Sequence, residues 1–155
     1  MPTARTEVVD ALQASVRLHL LAIEFYSGIA GHMERWGYPK LADRYRDDAD
    51  EERGHLSSCV SRLEFFDVAS AYDHKLPAWP RHDYAGILTA AMSMERQAAD
   101  AERQGVLTCR NAGDEQSALV FAKLLDGSED AIAKIEAAHV VISEIGLDNY
   151  LSTFV

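Results

Sequence analysis

The sequence predicts an all-α chain folded as a four-helix bundle, with one long crossover between helices 2 and 3 and a short C-terminal fifth helix. Three observations lead there. Helical periodicity runs nearly end to end, while strand signals are almost absent. Glycine and proline interrupt that periodicity at the places where turns would fall. Residues 67–82, "DVASAYDHKLPAWPRH", hold two prolines and no period, so they read as one connection long enough to travel along the bundle. A chain of 155 residues suits one domain with a sizeable core, spanning 1–155.

The first helix fits residues 5–35, with Val8, Leu12, Val16, His19, Ile23 and Tyr26 stepping along one face. Trp36-Gly37-Tyr38 breaks it, and Pro39 suits the first turn of a second helix over 39–65, which ends in Phe65-Phe66. A third helix fits 83–111 and stops at Gly113. The fourth starts near Asp114 and reaches Glu144 before Gly146 ends it. The tail "LDNYLSTFV" is left as a small fifth helix.

With 48% hydrophobic residues the chain is not disordered, and nothing in it repeats at a fixed period. Its longest apolar runs, Leu18 to Ile23 and Val140 to Ile142, are far too short to cross a bilayer. The start "MPTARTEVVDAL" lacks the apolar stretch of a secretion signal. Two cysteines, Cys59 and Cys109, point to a reducing compartment, so a cytoplasmic location is expected. A formal charge of −10 disfavours nucleic acid and anionic membranes as partners and suits cations.

Chemistry concentrates at "DADEERGHLSSC", where Glu52 and His55 stand three apart. On a helix such residues share a face, so a carboxylate and an imidazole aim at one point, as a metal requires. Carboxylate-rich metal sites in bundles take one glutamate from each of two helices and a Glu-x-x-His pair from each of the others. Helix 3 offers Glu95, flanked by Met92, Met94 and Ala98, which suggests a core-side position; the plain alternative is a solvated residue. Helix 1 offers His19, either a ligand beside Glu52 and His55 or a hydrogen-bonded core histidine. Glu24 lies at a different angle and is expected to face solvent. Helix 4 carries Glu136-Ala-Ala-His139. Cys59, one turn past His55, reads as a small buried residue, with a soft metal ligand as the alternative, and Cys109 gives no signal. Gly127 costs helix 4 about 1 kcal/mol relative to alanine and suggests local softening.

Two segments, "ERWGYPKLADRYRDDADEERGH" and "SEIGLDNYL", resemble the bacterioferritins, and the resemblance covers nearly the whole chain. It implies the ferritin-like fold and a hollow homo-oligomeric shell of twenty-four subunits, a 24-mer that oxidises ferrous iron and stores the mineral. Position by position it implies that Glu52, His55 and Glu95 keep the family's metal ligands and that His19 stands in place of a helix 1 glutamate. The positions matching helix 4's glutamate and histidine hold Ser128 and Ala131. Glu136 and His139 fall eight residues later, about 12 Å along the helix and about 80° around it, so they are read as a chance pair. Arg53 occupies the haem-ligand position and cannot ligate iron, so haem is not expected. Tyr26 matches a tyrosine the family keeps near its iron site, with an ordinary core tyrosine as the alternative. Asp47 and Glu51 match inner-surface iron ligands, with a solvated acidic face, including Asp48 and Asp50, as the alternative.

The resulting expectation is an iron-storage, iron-binding shell subunit that takes part in iron homeostasis. Its two-iron centre is incomplete, holding at most one iron or zinc ion, and its ferroxidase activity is weak or absent. Co-assembly with an active bacterioferritin subunit belongs to the same reading. A mononuclear metal protein or enzyme using His19, Glu52 and His55 is the first alternative, and a purely structural subunit the second.

Overall fold

Two helical hairpins lie side by side in the computed structural model, which describes residues 5–71, 80 and 82–155. The elements are α1 (Thr6–Trp36), α2 (Pro39–Phe65), α3 (Tyr84–Asn111), α4 (Glu115–Ile145) and α5 (Leu147–Ser152). Each expected boundary of the long helices falls within one residue of the observed one, and the tail does form a fifth helix. No strand occurs among the described residues. Part of the expected connection, residues 72–79 and 81, lies outside the described residues.

The turns follow from local chemistry. Gly37 ends α1 at φ 88°, a left-handed conformation that glycine adopts without penalty, and its N–H and that of Tyr38 cap the carbonyls of Glu34 and Met33. Pro39 then opens α2 where a missing N–H costs nothing. Between α3 and α4, Gly113 turns the chain at φ 71° and the Asp114 carboxylate accepts from the Ser117 N–H as an N-cap. Arg62 near the end of α2 donates to Asp114 and Ser117 at 2.9 and 2.8 Å, tying one hairpin to the turn of the other.

Contacts across the bundle settle the helix directions. Tyr26 of α1 meets Glu95 of α3, and the earlier His19 meets the later Glu102, so α1 and α3 run in opposite directions. Tyr45 and Tyr84, each near the start of its helix, share a hydrogen bond of 3.0 Å, so α2 and α3 run in the same direction. The link between them must therefore travel the bundle's length, which is the ferritin-like topology.

The apolar core is not continuous. One cluster, around Phe25, Ile29, Met33, Tyr84 and Tyr150, fills one end. A second, around Leu12, Val16, Leu63 and Phe121, fills the other. Buried between them are His19, Glu52, Glu95, Glu102 and Ser128. Burying ionisable groups is costly unless something compensates them, so this polar layer is the candidate functional centre.

Candidate metal centre

Each long helix contributes to the layer at a spacing the helix dictates. On α2, Glu52 and His55 are one turn apart; on α3, Glu95 and Glu102 are seven residues apart and share a face two turns long. His19 and Tyr26 on α1 have the same seven-residue spacing, which the opposite run of α3 pairs with Glu102 and Glu95 in turn. The layer thus has two levels.

At the first level, His19, Glu52 and His55 each present a donor atom within 4.8 Å of the other two. His19 Nδ1 lies 2.7 Å from Glu52 Oε2, and His55 Nδ1 lies 3.5 Å from Glu52 Oε1. Burial pushes the Glu52 carboxyl up, but the hydrogen bonds and charges of the two imidazoles outweigh it and hold the group at about 2. Glu52 is therefore ionised and accepts, so His19 Nδ1 carries the proton. Burial pushes His55 down, and the surrounding Glu52, Glu51 and Glu102 more than reverse that, leaving it above the usual histidine range.

At the second level, Glu95 takes a hydrogen bond from the Tyr26 hydroxyl. Burial dominates both groups: Glu95 rises to about 8, and the Tyr26 phenol is pushed well above its ordinary value. Glu95 is buried and core-facing rather than solvated, yet its donor atoms do not join the cluster of His19, Glu52 and His55.

Helix α4 presents no imidazole or carboxylate here. Ser128 is buried beside Glu102, and Ala131 lines a cavity of about 240 Å³ together with Tyr26, Asp48 and Lys134. Gly127 lies against the His55 ring: a Cβ placed on it would stand 2.6 Å from His55 Cε1. Sequence suggested softening at this glycine, but α4 runs unbroken through it and the missing side chain makes room for the imidazole.

The other candidates fall away from the layer. Glu136 and His139 are exposed on a groove with Met92 and Arg96. Arg53 is exposed and paired with Asp50. Asp47 and Glu51 are exposed, although Glu51 Oε1 reaches to 4.0 Å from His55 Nε2. Asp48 is half-buried, and that burial lifts its carboxyl to about 6. Cys59 is buried with its thiol toward Ser15 Oγ at 3.4 Å, and burial raises it to about 11, so it is no thiolate. Glu24 is exposed.

One residue of the layer was not foreseen. Glu102 is 1% exposed, and its Oε1 lies 3.9 Å from His19 Nε2. The signal was present in the sequence: Glu102 stands two turns beyond Glu95, among Ala98, Ala99 and Gly105 on the same apolar stripe.

Residues 9–145 match the ferritin family, described as a ferritin-like domain. The chain belongs to the ferritin-like family. Among its relatives, it is 27% identical to a bacterioferritin of Streptomyces coelicolor over 96% of this chain and 89% of that one. It is 26% identical to a bacterial ferritin of Pseudomonas aeruginosa, covering 95% of this chain and 96% of the other. A bacterioferritin of Brucella melitensis is 25% identical over 93% and 89% of the two chains. For a ferritin-like chain at this distance the bundle is kept by apolar patterning, which tolerates extensive substitution as long as volume and pattern are preserved. The polar layer is less forgiving, because each buried charge needs a specific partner.

Proposed function

We propose that this ferritin-like chain is a bacterioferritin-type iron-storage subunit whose oxidation centre is reduced to one metal site. The observation that carries the reading is the convergence of His19, Glu52 and His55 opposite an α4 that offers only Ser128 and Ala131. Two histidines and a carboxylate suit one ion of the ferrous or zinc type. A second ion bridged to the first would need carboxylate and imidazole donors that α4 does not supply.

The same domain, 1–155, assembles with copies of itself into a closed shell that takes up iron, which is what the resemblance to the bacterioferritins implies. Apolar side chains exposed late on α4, Val140, Val141 and Ile145, are surface that assembly would cover. No helix among the described residues is long and apolar enough to cross a membrane, and the reading places the protein in the cytoplasm. Arg53 at the surface gives haem no ligand. Iron oxidation by the purified shell is expected to be slow and without a saturable phase of two ferrous ions per subunit. Co-assembly with an active subunit would then supply oxidation.

Stopped-flow oxidation of ferrous iron by purified shells, run beside H55A, tests this. A slow reaction with up to one bound ion per subunit, lost in H55A, supports the reading. A saturating phase at two per subunit contradicts it. Metal content unaffected by H55A would rule out the His19, Glu52 and His55 site, and no ion inside the bundle of either protein would leave the chain a purely structural subunit. One bound ion in a protein that forms no shell would make it a mononuclear metal protein.

A further inference from the structure

The cavity of about 240 Å³ beside Ala131 has two unlike ends. Its inner end holds the buried, hydroxyl-bearing rings of Tyr26, Tyr45, Tyr84 and Tyr150, and its outer end the exposed Arg44 and Lys134. Between them the walls are apolar, from Leu88 and Ala91 on α3 and from Ala131, Ile135 and Ala138 on α4, and the three alanines keep the space open. Protein interiors hold few voids larger than a water molecule, and a void of about 150 Å³ is enough to take a benzene ring. This one has room for a ring with a substituent at each end. The hydroxyls define what the inner substituent must be. Tyr26 gives its proton to Glu95, while Tyr45 and Tyr84 share one hydrogen bond of 3.0 Å, which uses one of their two protons. Tyr150 stacks on Tyr84, and in accepting the second proton it brings one of its own. Either way this buried group keeps one phenolic proton more than it has acceptors, and an oxygen that accepts without donating would take it.

We propose that this cavity binds a small aromatic carboxylate, its ring between the alanine-bearing walls of α3 and α4, its acid group held by Arg44 and Lys134, and an ether or carbonyl oxygen at its far end accepting from the tyrosine hydroxyls. Arg44 and Lys134 form no salt bridge among the described residues, and Arg44 lies over the Phe154 ring at 5.3 Å. Asp47 and Asp48 also border the cavity, but the pull of the two cations on Asp48 does not offset the burial of that carboxyl, so neither cation is committed to it. A carboxylate carried by a ligand, unlike one fixed on α2, can approach both. The site lies beside the cluster of His19, Glu52 and His55 and uses none of its donors, so it stands whether or not that cluster holds an ion.

Calorimetric titration of the full-length protein with 4-methoxybenzoate tests this. One molecule per subunit is expected, with a Kd below about 1 mM. Two relatives of the probe are each expected to bind at least about tenfold more weakly: 4-ethylbenzoate, which lacks the ether oxygen, and 4-methoxybenzamide, which lacks the charge. A138L, which fills the cavity, is expected to abolish binding, and K134M to weaken it at least about fivefold. No binding by the parent, or parent-like binding by A138L, overturns the site. Equal binding of the amide, parent-like binding by K134M, or tighter binding of 4-methoxybenzylamine overturns the carboxylate, and equal binding of 4-ethylbenzoate overturns the acceptor at the tyrosines. Should A138L fail to fold, crystals of the parent soaked in 4-methoxybenzoate decide: a ring between Ala131 and Tyr84 supports the proposal, and water alone there overturns it.

Discussion

Replacing Gly127 by alanine probes the site through one methyl group. The new Cβ would stand 2.6 Å from His55 Cε1 and 2.8 Å from Nε2, whereas ordinary contact begins near 3.4 Å. The obstacle is the end of a rotatable side chain rather than backbone, so the ring moves by about 1 Å and the helices stay in place. Two consequences of opposite sign follow. Alanine favours the helical state over glycine by about 1 kcal/mol, which in a domain of this size raises Tm by about 2–4 °C, less whatever His55 loses in packing. Displacing a metal-site histidine by that distance is expected to lower affinity about 10- to 100-fold. Thermal melts of metal-free G127A should therefore show unchanged or raised stability, while zinc titration of the same preparation shows weakened binding. Parent-like zinc affinity would refute the placement of His55 against α4. A Tm lowered by several degrees would refute the claim that only the ring yields.

Restoring donors on α4 should rebuild a second metal position: S128E with A131H is expected to raise bound iron toward two per subunit and to quicken oxygen consumption. The cavity of about 240 Å³ beside Ala131 leaves room for the imidazole. Unchanged metal content would show that more than these two positions separates the chain from a two-metal centre. Asp48 gives a pH test. Burial raises its carboxyl from 3.8 to about 6, so its share of stability is present below the unfolded value and is lost as pH rises through about 6. D48N should gain at most about 3 kcal/mol over the parent at pH 7.5 and little at pH 3.5, read from metal-free melts; equal gains at both would remove the titration as cause. F121A, at a ring 1% exposed and pressed against Gly105, should cost about 3–5 kcal/mol in denaturant unfolding. A loss below about 1 kcal/mol would mean the core closes around the gap.

The bundle was legible because its signals are local. Gly37, Gly113 and Gly146 all take positive φ where the periodicity breaks, and Pro39 occupies the first turn of α2. Crossover length alone implied the parallel run of α2 and α3. Within the site, Glu52 and His55 were legible from spacing on one helix, and His19 from its place on an apolar face. What escaped the sequence depends on register between helices. That Tyr26 falls opposite Glu95, and His19 opposite Glu102, follows from how far α3 slides along α1, which no pattern within either helix encodes. Glu102 is also hidden for a simpler reason: the bundle pattern asks a single carboxylate of α3, and Glu95 satisfies it. Gly127 reads as a helix weakness in one dimension and as space for His55 in three.

The central claim is that the bundle interior holds one metal ion per subunit and that α4 does not bind it through a carboxylate or imidazole. Iron-edge anomalous diffraction from iron-loaded crystals tests it most directly. The account predicts one peak per subunit inside the bundle, within bonding distance of His19 and His55. Two adjacent peaks, or one bonded to an α4 side chain, would contradict it.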